Sequence, residues 1–110
     1  MHDNLQITFR GMSSSPAIEL LIRERTERLT RHSASPIQRC HVVVEQPHRH
    51  QNKGRVYSVR LDLVTPADEV VVTRESEEAP GHEPLQHAIR EAFDAAARQI
   101  EGRSARRRSA

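Results

Sequence analysis

Two amphipathic runs, each opened by a proline, bracket three runs of alternating apolar and polar residues, and this order restricts the chain more than any other feature. Ser15-Pro16 opens the first run, which reaches His32, and Glu83-Pro84 opens the second, which reaches Glu101. Another alternating run, Leu5 to Arg10, precedes both. Each of these six elements is apolar on one face only, so none is stable alone in water and all must share one core. The pattern reads as an α+β domain in the order β-α-β-β-β-α. It has a four-stranded, mainly antiparallel sheet packed on one face by helices near 15–32 and 84–101. A ferredoxin-like arrangement needs another helix between the middle strands, and Pro47 to Gly54 is too short and too polar to supply it.

Local chemistry agrees with this assignment. Leu5, Ile7 and Phe9 alternate with Gln6, Thr8 and Arg10 before Gly11 breaks the run. Ser15 offers a capping oxygen, and Pro16 loses nothing in a first turn where its missing N–H has no helical partner. At about 100° per residue, Ile18, Leu21, Ile22 and Leu29 form one stripe, with Arg23, Glu27 and Arg31 pointing away. Arg25 falls inside that stripe and must either snorkel to its rim or reach across to another element. Cys40, Val42 and Val44 define the buried side of a second strand; Tyr57, Val59, Leu61 and Leu63 define that of a third. Pro66-Ala67-Asp68 reads as a tight turn into a valine-rich fourth strand, Glu69 to Glu75. In the second helix Leu85, Ile89, Ala92, Phe93, Ala96 and Ile100 form the buried stripe, and Ala88 and Ala95 at its edge allow close approach. His87, Asp94, Arg98 and Glu101 face outward. Ser76 to His82 reads as a mobile acidic loop. Gly102 should stop the helix, leaving 102–110 as a basic, flexible tail beyond a single domain over 1–101.

A chain of 110 residues is the size of one domain. Aromatic residues make up only 3%, so the core is aliphatic, with Phe9, Tyr57 and Phe93 as its large rings. No window approaches a membrane span, the start lacks the basic and apolar parts of a secretory signal, and the single Cys40 excludes an intrachain disulfide. A cytoplasmic location follows as the expectation.

The sequence pI of about 9.3 is a property of the C-terminal arginines. Of 17 basic residues, four (Arg103, Arg106, Arg107 and Arg108) follow Gly102, and the remaining 13 are set against 15 acidic residues, so residues 1–101 carry a formal charge of −2. A polyanion surface must therefore come from local segregation of arginines plus the tail.

Catalytic and metal chemistry find little support. His48 and His50 could join His41 or Cys40, but adjacent side chains on a strand point oppositely and no second cysteine completes a zinc pattern. Cys40 reads as a small core residue rather than a nucleophile. Asp62, Asp68, Glu69 and the histidines form no assignable acid–base arrangement; an enzyme would need a histidine and a carboxylate together in a concave pocket. The expectation is a non-enzyme with no metal and no cofactor.

Several segments carry a family likeness. They are Leu5-Gln6-Ile7-Thr8 running to Gly11, Ser15-Pro16-Ala17-Ile18 continuing to Glu27-Arg28-Leu29-Thr30-Arg31-His32, the three strands, and Leu85 with Ala88-Ile89 and Arg98-Gln99-Ile100. In this order and spacing the chain resembles short members of the ribosome hibernation promoting factor and ribosome-associated inhibitor family, also labelled sigma-54 modulation proteins. The resemblance implies a layout similar to the double-stranded RNA binding fold, docked in the small-subunit channel used by messenger and transfer RNA. It further implies reversible, noncatalytic restraint of translation during slow growth or stress. The small ribosomal subunit and its RNA are the implied partners, met by Arg23, Arg28 and Arg31 on the first helix and Arg90 and Arg98 on the second. The sequence departs from the family in two places: the second helix carries Glu91, Asp94 and Glu101 where lysines are usual, and Glu75-Ser76-Glu77-Glu78 is acidic.

From residue chemistry alone, these five arginines read as solvated helix faces, with Glu24 and Glu27 offering ion pairs; the resemblance turns the reading toward RNA. Arg can fork onto phosphate oxygens and so position a protein on shaped RNA. Without exposed aromatics to stack on bases, shape and phosphate recognition is favoured over base reading. Arg103, Arg106, Arg107 and Arg108 would add nonspecific attraction. The competing readings are a protein-binding adapter and a stress-associated module that keeps the fold without ribosome binding. The long members' extra C-terminal domain is not in this sequence, so the expected state is chiefly monomeric and unable to pair ribosomes. A weak homodimer through an edge strand or helix face is the alternative.

Overall fold

The computed structural model describes residues 4–33, 35–47, 56–76 and 81–109, with side chains described through Arg103. The element order is the expected one: β1 (Leu5–Arg10), α1 (Pro16–His32), β2 (Arg39–Glu45), β3 (Ser58–Val64), β4 (Glu69–Glu75) and α2 (Glu83–Ser109). The strands lie in the order β1-β2-β3-β4. β1 and β2 are parallel because α1 carries the chain back between them, whereas β2-β3 and β3-β4 are antiparallel. The loop readings at 48–55 and 77–80, including His48 and His50, lie outside the described residues.

Register explains the one-sided core. Ile7, Val42, Leu61 and Val72 are successive partners across the four strands, and the next row is Thr8, Val43, Arg60 and Thr73. The first row turns toward the helices: Val42, Leu61 and Val72 are buried, and Ile7 packs against the same cluster. The second row faces away from it, as the period of two requires. The β3–β4 turn is closed by the Thr65 N–H donating to the Asp68 carbonyl at 2.9 Å and the Asp68 N–H donating to the Thr65 hydroxyl at 3.1 Å. At the other end of the hairpin the Tyr57 N–H donates to the Ser76 hydroxyl at 2.9 Å, and the Ser76 N–H returns to the Tyr57 carbonyl at 2.9 Å.

Ser15 caps α1, its hydroxyl accepting the Ile18 N–H at 3.3 Å. Ile18, Ile22 and Leu29 are buried as expected, and Leu21 packs at the cluster's edge. The fourth buried position of α1 is Thr26, which the apolar pattern does not reveal. Its hydroxyl donates to the Ile22 carbonyl at 2.8 Å, so its polarity is satisfied within the helix and only its methyl adds to the core. All eight residues assigned to the inner side of α2 are buried. Gly11 takes a left-handed φ of +71°, where an added Cβ would also collide with the Gln46 carbonyl oxygen. β1 therefore ends there and turns toward α1.

One expectation is corrected. The second helix does not stop at Gly102 but continues to Ser109, so the segment after Gly102 has helical backbone rather than the disordered chain inferred from its composition. Gly102 lacks the positive φ of a helix-ending glycine; among described glycines only Gly11 and Gly81 have one. A mid-helix glycine costs about 1 kcal/mol relative to alanine, and the arginines and alanine after it are good helix formers. Arg103 also holds the extension: its Nη1 donates to the Glu69 carbonyl at 3.2 Å and lies 3.8 Å from the Asp68 carboxylate. At 27 residues α2 is about 40 Å long, well beyond the roughly 23 Å rise of a seven-residue strand.

Candidate functional site

α1 and α2 lie side by side and run the same way, because each follows a strand of the same direction back across the sheet. Arg25 marks the seam. Its side chain is only 16% exposed, and its Nη2 lies 3.7 Å from the Asp94 carboxylate on α2. Of the two alternatives open to an arginine in an apolar stripe, it reaches across. The separation exceeds a hydrogen bond, and Arg25 Nε is buried with no acceptor among the described residues, so this guanidinium is only partly satisfied there. Asp94 faces outward as expected and is also its counter-charge.

The five helix arginines assigned to RNA, Arg23, Arg28, Arg31, Arg90 and Arg98, are all exposed. Among the described residues none of them pairs with a carboxylate, and Glu24 and Glu27 form no ion pairs. The structure does not gather them into one patch. Arg28 and Arg31 are a turn apart and about 60° around α1, whereas Arg23 is about 140° from Arg28 and lies on the far flank. Arg28 lines the seam with α2. On α2, Arg90 is about 40° around the helix from Asp94 and so also leans to the seam, while Arg98 stands on the outer face. α1 carries four arginines against three glutamates; α2 carries six against four acidic residues, and four of those six follow Gly102. The basic excess is therefore concentrated on the α2 extension, where Arg103 is tied to the β3–β4 turn and Arg106, Arg107 and Arg108 continue the helical backbone.

Between the C-terminal half of α1 and the middle of α2 lies a groove of about 230 Å³. Arg25, Arg28 and His32 form its α1 wall, Asp94 and Glu101 its α2 wall, and Leu29, Phe93, Ala97 and Ile100 its apolar floor. Sequence reasoning found Leu29, Phe93 and Ile100 of the floor and Arg28, but not Ala97 in the floor, nor His32, Asp94 or Glu101 as members of one site. The available signal was Arg25, a charge in an apolar stripe that required an opposite charge on a neighbouring element.

The remaining chemistry-bearing residues lie elsewhere. His41 and Asp62 are cross-strand partners on the open face of the sheet, away from this groove. His41 Nε2 is 2.9 Å from the Thr8 hydroxyl, and Asp62 Oδ1 is buried with no hydrogen-bond partner among the described residues. Cys40 is buried beneath α1, its Sγ 4.0 Å from the Thr26 hydroxyl. Burial raises its thiol pKa from 9.0 to about 12, with Asp62 adding to the rise and the Thr26 contact opposing it. Native protein at pH 7.5 should thus resist thiol alkylation and react only after denaturation; rapid labelling of folded protein would contradict the buried assignment. A raised folded-state value stabilises the fold fully below pH 9. That contribution is lost as pH rises toward about 12, because the unfolded thiol ionises first. No group of three or more metal-ligating side chains exists among the described residues, and none of their helices is long and apolar enough to cross a membrane.

Comparison with known proteins matches residues 5–108 to a family model described as sigma 54 modulation protein / S30EA ribosomal protein. A ribosomal subunit interface protein from Coxiella burnetii has a similar fold, with a TM-score of 0.69 at 18% identity over 92% of this chain and 97% of that one. The N-terminal domain of Thermus thermophilus Protein Y gives a TM-score of 0.66 at 18% identity, covering 86% and 91% of the two chains. A search of curated protein sequences finds no significant match.

Proposed function

We propose, from the premise that this chain belongs to the sigma 54 modulation protein / S30EA ribosomal protein family, that it binds the small ribosomal subunit reversibly and restrains translation when growth slows or stress sets in. The family match over residues 5–108 carries this reading. The family is one of ribosome-associated proteins rather than enzymes, and the proposed action is noncatalytic and cytoplasmic. Residues 1–101 act as the docking domain and the basic helical extension as an appendage. The physical support is a set of exposed arginines without carboxylate partners among the described residues, free to fork onto phosphate oxygens of ribosomal RNA.

The helix geometry ranks these arginines. Arg28 and Arg31 stand together and Arg23 stands apart, so Arg28→Gln/Arg31→Gln should weaken association with purified 30S subunits several-fold more than Arg23→Gln does. Cosedimentation at low salt measures this. Equal loss from both variants would reject the α1 seam side as the contact.

A further inference from the structure

The groove between the helices is too small for most drug-sized ligands, whose pockets run from about 300 to 1,000 Å³, and suits a single planar ring system. Its charges decide the kind of ring. Arg25 and Arg28 balance Asp94 and Glu101, so the groove has no net charge before His32 protonates and gives a bare phosphate little attraction. An aliphatic side chain from a protein partner would cover the apolar floor but desolvate four charges without pairing them. A nucleobase satisfies both demands, having apolar faces and polar edges. The groove is also segregated, with donors on the α1 wall and acceptors on the α2 wall. Guanine is segregated in the same sense: O6 and N7 accept along one edge, and N1–H and the N2 amino group donate along another.

We infer that this groove receives one unpaired guanine of RNA, with Arg28 and His32 donating to its O6 and N7 edge and Asp94 and Glu101 accepting from N1–H and the N2 amino group. Arg25, partly satisfied by Asp94 alone, supports the donor wall. The acidic residues of α2 thus become the acceptors that select the base, while Arg31 beside the groove meets backbone phosphate. The inference rests on the RNA-binding reading above and adds base preference to it.

The test is titration of the isotope-labelled full chain with unstructured RNA hexamers differing at one central position: guanine, adenine, uracil or inosine, the last lacking the N2 amino group. The guanine strand should bind about fivefold or more tighter than the adenine and uracil strands, with inosine between. The largest amide shifts should fall at Leu29, His32, Ala97 and Glu101. Glu101→Gln and Asp94→Asn, each checked for an unchanged circular-dichroism spectrum, should remove the preference, so that the guanine strand binds no tighter than the adenine and uracil strands. Equal affinities for all strands, or a guanine preference with shifts confined to the open sheet face, would overturn it. Guanosine monophosphate binding as tightly as the strand would overturn the assignment to RNA. Cosedimentation with 30S subunits separates the two readings. Association without base preference overturns the groove assignment alone, and guanine preference without association supports the groove while overturning the small-subunit reading.

Discussion

Replacing Arg106, Arg107 and Arg108 by glutamine should reduce the salt dependence of 30S binding more than any other surface change. Each phosphate neutralised contributes about 0.7 to 0.9 to the slope of log affinity against log salt, so three arginines account for a slope of about 2 to 3. Going from 50 to 200 mM salt, the variant should lose roughly 20- to 40-fold less affinity than the wild type. The size of the effect follows from charge placement, because residues 1–101 are formally negative and the basic excess lies beyond Gly102. Helical backbone through Ser109 strengthens the expectation, since charges on a helix lose less conformational freedom on binding than charges on a disordered chain. Deleting residues 102–110 should also leave the melting transition nearly intact. Among the described residues the structural loss is the contact of Arg103 with Asp68 and Glu69, worth about 0–1 kcal/mol as a surface pair. An unchanged salt slope would remove the extension from the binding account, and a collapsed melt would make it part of the fold.

Leu61→Ala should cost about 2–5 kcal/mol, whereas Val71→Ala on the neighbouring strand should cost below about 1 kcal/mol. Leu61 is fully buried in the central row under the helices, while Val71 points from the uncovered face and is 41% exposed. Small domains shift by about 4–8 °C in Tm per kcal/mol, so the first variant should melt at least roughly 4 °C lower than the second. Similar losses from both would mean that the open face is covered in solution, by a second copy or another element, because an exposed valine has no cavity to leave behind.

Period-two alternation in the sequence assigns Val42 and Leu61 to the buried sides of their strands, and the 3.6-residue period does the same for Leu85 through Ile100, whereas the run of valines in β4 leaves the inward side of Val72 to the register. Both faces are marked by repeated signals, with several residues reporting one side. Features that rest on a single residue are less legible. Thr26 is buried because its hydroxyl is satisfied by its own helix, which composition does not show. Gly102 reads as a stop, but a glycine ends a helix only when its backbone takes the left-handed conformation, and here Arg103 reaches Asp68 and Glu69 instead. The groove was legible only in halves. Arg25 announced a missing partner, but pairing it with Asp94 required knowing that the helices run in the same direction, which depends on the parallel β1–β2 joint and the two hairpins after it. The arginines were correctly expected at the surface, yet their spread around α1 follows from placing the seam, and that is a tertiary fact.

Docking on the small ribosomal subunit is tested most directly by cosedimentation of the full chain with purified 30S subunits over a series of salt concentrations, beside the Arg28→Gln/Arg31→Gln variant. The account predicts saturable association at low salt that weakens steeply as salt rises, and several-fold weaker binding by the variant throughout. Absence of association at both low and moderate salt, or association indifferent to salt and to the two arginines, would contradict it.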